Sequence, residues 1–177
     1  MTTLAASFKD ALASWASGVS VVTTRAGGLA YGLTVSSFTS LSLDPPLILV
    51  CVGTRNRLPA MIREAGRFAV SLLAADQAGI SAQLARSGRD PGPDLGVPGA
   101  EAASGLPIVA DAIAHLACEL HHELVVGDHT VIVGRVVEAS ARADREPLVY
   151  HRRGYRIVAS SESPVPAPPL ELWGFAI

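Results

Sequence analysis

The sequence predicts a mainly β architecture with flanking helices, its strands arranged as a barrel. Three observations lead there. About six or seven β-branched or alternating apolar runs follow one another, separated by turn residues at short spacing. The helical patterns fall mostly in the first half of the chain, where they decorate the strands. Apolar residues make up 49% of the 177 residues and charged residues only 17%. That is enough for one sizeable core, and so little charge to cover the outside that a buried subunit interface is expected.

Residues 4–15 read as a helix, with Leu4, Phe8, Ala11, Leu12 and Trp15 on one face and Gly18 as its stop. The β-branched run 19–25 is a strand, Gly27-Gly28 a turn, and 29–38 the returning strand. Asp44-Pro45-Pro46 interrupts regular structure. LILVCV (47–52) then reads as a central strand buried on both faces. A short helix fits 57–65, with Asn56 as cap, Pro59 in the first turn and Gly66 at the end. Strand 67–74 follows, then a helix over 77–86 capped by Asp76. Residues 87–107 hold several Gly and Pro without a period and read as a long loop. In 112–126 the even positions Ala114, Leu116, Cys118, Leu120, Leu124 and Val126 are apolar and the odd ones include His115, Glu119, His121 and Glu123, a strand with one buried and one polar face. Gly127-Asp128 turns the chain into 129–139, and 148–158 is a further strand. The tail 160–177 opens Pro-rich and ends LELWGFAI. The domain is expected over 1–159, with 160–177 outside it.

Composition excludes several functions. The net charge is −2, so no basic excess exists to neutralise a phosphate backbone, and aromatics at 5% are too few for base-stacking platforms. No nucleic-acid partner is expected. The longest apolar run is far short of the roughly 20 residues a membrane helix needs, and the first twenty residues do not read as a signal peptide. No membrane partner is expected, and a soluble cytoplasmic protein is the default. Cys51 and Cys118 sit in apolar runs as small hydrophobes and form no disulfide framework.

Four stretches carry chemistry. Gly32-Leu33-Thr34-Val35-Ser36-Ser37-Phe38-Thr39-Ser40 is a strand end dense in hydroxyls, able to donate to an anion or a carbonyl-rich ring, or simply a polar sheet edge. Gly53-Thr54-Arg55-Asn56-Arg57 joins a strand to a helix start, where amides and two arginines attract phosphate. An ordinary capped turn reads equally well. Gly127-Asp128-His129-Thr130 sets an imidazole beside a carboxylate, either for a ligand or as a surface turn. Tyr150-His151-Arg152-Arg153-Gly154-Tyr155 alternates basic and aromatic residues, with His151, Arg153 and Tyr155 on one side. It fits a pyrophosphate and a flat ring, or a charged edge strand. The row His115, Glu119, His121, Glu123 lies in a line, not a tetrahedron, and no metal site is expected. HExxH, CxxC pairs, GxSxG, Walker A and GxGxxG are absent.

Together these pieces, in the order A-S-G-V-S-V-V-T-T, G-L-T-V-S-S-F-T-S-L-S-L-D-P-P-L-I-L-V-C-V, R-F-A-V-S-L-L, G-L-P-I-V, A-C-E-L, G-D-H-T-V-I-V-G-R-V and P-L-V-Y-H-R-R-G-Y-R, resemble the short flavin reductases that serve two-component flavin-dependent monooxygenases. The resemblance covers roughly residues 8–158. It implies an FMN-binding split β-barrel and a homodimer with flavin near the subunit interface. It also implies hydride transfer from NADH or NADPH to FMN or FAD, with the reduced flavin passing to a partner monooxygenase. Carried over by position, Gly32 and Thr34, Val35, Ser36 and Ser37 would line the flavin ring. Cys51, Thr54, Arg55, Asn56 and Arg57 would follow its ribityl chain and phosphate. His129 would approach the nicotinamide side as the catalytic residue, and Tyr155 would help close the site. Two departures stand out. Arg57 replaces the small hydroxyl residue of many relatives, and Ala85-Arg86-Ser87-Gly88 replaces a basic residue followed by Phe-Ala. Those leave two other readings open: a flavin-binding barrel without reductase turnover, and a diverged member with a non-redox biosynthetic role. Trp173 and Phe175 would pack across a subunit or over the site, unless the tail is partly disordered.

Overall fold

The computed structural model describes residues 3–158. In chain order the elements are α1 (Leu4–Ala13), β1 (Ser17–Gly18), β2 (Ser20–Ala26), β3 (Leu29–Val35), β4 (Thr39–Leu43), β5 (Pro46–Gly53), α2 (Leu58–Ala65), β6 (Arg67–Leu72), a 3-10 turn at Ala75–Gln77 and α3 (Ala78–Leu84). They continue with β7 (Gly99–Glu101), β8 (Pro107–Val109), β9 (Ala114–Val126), β10 (His129–Ala141), β11 (Leu148–His151) and β12 (Gly154–Ile157). Trp173, Phe175 and the rest of the 160–177 tail lie outside the described residues.

A seven-stranded antiparallel sheet runs in the order β3-β2-β6-β9-β10-β5-β4. Its two edge strands, β3 and β4, are consecutive in sequence, and no ladder joins them among the described residues. The sheet curls so that β3 at one edge and β5 beside the other edge share one core. Val22, Tyr31 and Val35 pack with Ile48, Val50, Val52, Phe68, Val70, Cys118 and Ile132, and α2 adds Leu58 and Ile62. A smaller core of Val19, Val21, Leu73, Leu84, Val109 and Leu148 lies under α3 and a three-stranded sheet of β1, β11 and β12. The expected mainly β class with flanking helices is the one observed.

Local chemistry explains most elements. Gly27 and Gly28 take φ of 55° and 80°, as the tight β2–β3 hairpin requires. Asn56 Oδ1 accepts from the Leu58 amide at 2.9 Å, and Gly66 ends α2 at φ 68°. Gly134 in β10 has no room for a side chain. An added Cβ would lie 2.8 Å from Cys118 Cβ and run into the Phe68 ring.

The apolar stripe of α1 is exposed at Leu4, Phe8, Leu12 and Trp15. Several expectations are corrected. Gly18 belongs to β1 and does not cap that helix. The hydroxyl-rich run continues into an unexpected strand, β4. The strand expected to be buried on both faces, now β5, buries only Ile48, Val50 and Val52, because its alternate residues point to the outer face of the sheet, away from the core. Asp76 does not cap α3; it pairs with Arg145, and the Gln77 side chain accepts from the Ala74 amide. The long loop contains β7.

Strand 148–158 is in fact a hairpin. Arg152 and Arg153 take φ of 49° and 59°, and Tyr150 faces Tyr155 across the ladder. The expected single-strand alternation of His151, Arg153 and Tyr155 therefore does not exist. The turn is held against α1 by the Arg152 amide on Ala13 O at 2.8 Å and by an Arg153–Asp10 ion pair. In β9 the register shifts between Leu120 and His122, leaving His121 as the extra residue of a bulge. Beyond it the faces swap, so Leu124 and Val126 point outward at 54% and 55% exposure, and Glu123 turns towards α2 to pair with Arg63. The polar row of the sequence is thereby divided: Glu119 pairs with Arg135 on the other face.

Candidate functional site

Residues Ser36–Phe38 lie between β3 and β4 and outside every ladder, so their main-chain groups are free of sheet pairing. Where β3 ends, Thr34, Val35 and Ser36 line a cavity of about 180 Å³ with Val19, Ser81, Tyr150 and Tyr155. Its polar groups are aligned on Ser81 of α3. Thr34 Oγ1 donates to the Ser81 carbonyl at 2.8 Å, and the Tyr155 hydroxyl donates to Ser81 Oγ at 2.9 Å. The Tyr150 and Tyr155 rings meet edge to face with centroids 5.7 Å apart. Whole-ligand clefts run to about 300–1,000 Å³, so this cavity has room for only part of a flavin.

Ser37 joins this region to β5. Its hydroxyl accepts from the Cys51 amide at 3.0 Å and donates to the Cys51 carbonyl at 2.8 Å. Two residues on, Gly53 stands opposite His129 in the β5–β10 ladder. The Thr54 amide and hydroxyl both donate to the Asp128 carbonyl, at 2.9 and 3.0 Å. Three stretches that are distant in sequence (34–37, 51–57 and 127–129) thus meet at one end of the sheet.

The electrostatics there are set by two close pairs. His129 Nδ1 lies 2.7 Å from Asp128 Oδ1. That hydrogen bond, with the charge on a protonated ring, holds the Asp128 carboxyl below the usual carboxylate range. Arg57 Nη1 lies 2.9 Å from Asp90 Oδ1. Arg55 is exposed, and Asn56 spends its side-chain oxygen on the start of α2.

Gly32 is placed differently from the other expected residues. It is buried in β3 beneath the loop, its carbonyl accepts from Arg89 Nη1 at 2.7 Å, and a Cβ would meet Thr23 Cγ2 at 3.1 Å. It does not line the cavity. A larger cavity, about 560 Å³, lies elsewhere, between Arg25 and the 94–101 segment, and holds none of the expected site residues. Ser81, Arg89 and Asp90 were missed. A lone serine in a short helix and two charges in an aperiodic loop carry no sequence signal of their own.

The donor set fits a flavin. A hydroxyl has one proton and two lone pairs. The Thr34 and Ser37 protons are already given to carbonyls, so these hydroxyls can only accept from a ligand. Donation to ring carbonyl oxygens is left to the main chain of 36–38. No groups of three or more potential metal ligands occur among the described residues, and no helix there is long and apolar enough to cross a membrane.

Comparison with known proteins gives a consistent answer. The model of the flavin reductase-like domain matches residues 12–159. The reductase component of 4-hydroxyphenylacetate 3-monooxygenase from Thermus thermophilus is 42% identical over 149 residues, covering 84% of this chain and 93% of that protein. An NADH-dependent flavin reductase from a Rhodococcus species is 38% identical over 151 residues, covering 84% and 83%. Among solved structures, BorF, the flavin reductase component of a bacterial two-component tryptophan halogenase, superposes with a TM-score of 0.81 at 37% identity, covering 88% of this chain and 98% of that one.

Proposed function

The chain belongs to the flavin reductase-like family, and on that premise we propose that it is an NAD(P)H:flavin oxidoreductase that supplies reduced FMN or FAD to a partner monooxygenase. The observation that carries this reading is the meeting of 34–37, 51–57 and 127–129 at one end of the sheet through Ser37–Cys51 and Thr54–Asp128. The flavin, when bound, supplies the acceptor for the hydride that the nicotinamide gives up.

The chain's own residues bind and orient. Main-chain groups of Ser36–Phe38 hold the ring edge, and the Thr34 and Ser37 hydroxyls accept from it. Cys51 to Arg57 follow the ribityl chain and phosphate, where Arg55 and Arg57 bring positive charge. His129, steadied by Asp128, stands on the nicotinamide side, and Tyr155 closes the cavity through Ser81. No side chain need take up a proton at the reacting carbon, so orientation and electrostatics do the work.

The apolar outer surfaces support a homodimer as the working form. The α1 stripe and the outward Leu124 and Val126 of β9 expose large side chains that a second copy would cover. Both cysteines are free thiols, in keeping with a reducing cytoplasm.

The test is NADH or NADPH oxidation followed with and without added FMN or FAD. Flavin-dependent turnover is expected. A folded protein that turns over no flavin with either nicotinamide would reject the assignment.

A further inference from the structure

We propose that Asp90 competes with the flavin phosphate for Arg57, weakening the protein's hold on phosphorylated flavin and so favouring its release. The proposal rests on the reading of Gly53–Arg57 as the phosphate segment.

The carboxylate is placed there by the fold. Its neighbour Arg89 is anchored, donating to the Gly32 carbonyl at 2.7 Å with its guanidinium 5.5 Å from the Tyr31 ring centroid. Two residues on, Gly92 exchanges main-chain hydrogen bonds with Ala30, at 2.6 and 3.0 Å. Both anchors lie on β3, so Asp90 is set between two fixed points. Its carboxylate reaches Arg57 Nη1 at 2.9 Å.

An arriving phosphate must displace or share that carboxylate, and the two anions repel each other. The Arg57 and Asp90 side chains are 59% and 76% exposed, so the pair is weak enough to open. Exposed pairs of this kind change an equilibrium by about two- to five-fold. The effect is larger at low ionic strength, because surface charges are then less screened. A reductase whose product must leave gains from such a counter-anion. The ring contacts still orient the flavin for hydride transfer, while the grip on the phosphate stays loose.

The experiment measures dissociation constants of FMN and riboflavin for the wild-type chain, Asp90→Asn, Arg57→Ala and the double variant, at low and high salt. Riboflavin has no phosphate and serves as the internal control. Asp90→Asn is expected to tighten FMN about two- to five-fold, more at low salt, and to leave riboflavin unchanged. Arg57→Ala is expected to weaken FMN alone, and Asp90→Asn to tighten it less in that background than in the wild type, because only the direct repulsion between the two anions is then left to remove. If Arg57→Ala weakens FMN but Asp90→Asn does not tighten it, the competition is refuted and the phosphate segment stands. Equal tightening of FMN and riboflavin would also overturn it, since the loop would then act on the ring. If Arg57→Ala leaves FMN binding untouched, the phosphate role of Arg57 fails, and this inference with it.

Discussion

The Ser37 hydroxyl sits astride the main chain of Cys51, accepting from its amide and donating to its carbonyl. It thus replaces a ladder pair where the sheet has none. β3 and β4 do not pair with each other, and Ser37, in the link between them, ties that link to β5. The free main-chain groups at 36–38 keep their position because of this contact. On the proposed reading of the site, the same side chain would serve stability and binding together.

Ser37→Ala should lower stability by about 1–2 kcal/mol, the cost of losing two half-buried hydrogen bonds with partial replacement by water. It should also weaken flavin binding, because the 36–38 segment is no longer held. Urea unfolding and flavin titration measure the two effects. A loss of stability with flavin affinity intact would separate Ser37 from the site.

Gly134→Ala should destabilise the fold by about 1–3 kcal/mol, the usual cost of overpacking a filled core. The new methyl group would press on Cys118 Cβ and the Phe68 ring, both fully buried. Thermal melting detects the change, and Phe68→Leu in the same background should recover part of it. No recovery would mean that the ring is not what blocks the methyl.

How far the sequence carried this picture depends on the kind of signal. Gly27-Gly28 marked its hairpin because only glycine takes positive φ cheaply, whereas Arg152-Arg153 takes it without any glycine and hid a second hairpin inside an apparent strand. The bulge at His121 was invisible, since a period-two pattern does not show where one residue is extra. The α1 stripe was read correctly as apolar, but periodicity does not say what covers it. In the site, hydroxyl density at 34–37 and the arginines at 55 and 57 stood out chemically. Ser81 and Asp90 did not, because their roles come from tertiary contacts with Tyr155 and Arg57.

His115 should make the fold sensitive to mild acid. Its Nδ1 lies 3.2 Å from Ser71 Oγ, which also accepts from the Val109 amide, and burial pushes the imidazole below its ordinary value against a smaller opposing pull from Glu138. The folded state thus favours the neutral ring. Its contribution is complete above the ordinary imidazole value and is lost as pH falls through that value towards the lower folded one. Urea midpoints should fall between about pH 7.5 and about pH 5, and His115→Asn should flatten that slope. An identical slope in the variant would assign the acid sensitivity to other groups.

His129→Ala should lower turnover by roughly one to two powers of ten, the scale of a lost positioning contact, while leaving flavin affinity close to wild type. The reason lies in its surroundings. His129 stands opposite Gly53 at the end of the β5–β10 ladder, and its ring is engaged by Asp128. The Asp128 carbonyl is independently fixed by the Thr54 amide and hydroxyl. Removing the imidazole therefore leaves the turn, and with it the Gly53–Arg57 segment proposed for the phosphate, in place. A role on the nicotinamide side predicts a raised nicotinamide KM and a lower kcat with an unchanged flavin dissociation constant. Asp128→Asn should show a weaker form of the same pattern, since it loosens the ring without removing it. If flavin affinity falls in parallel with turnover in both variants, His129 belongs to the flavin contact and the nicotinamide role must be given up.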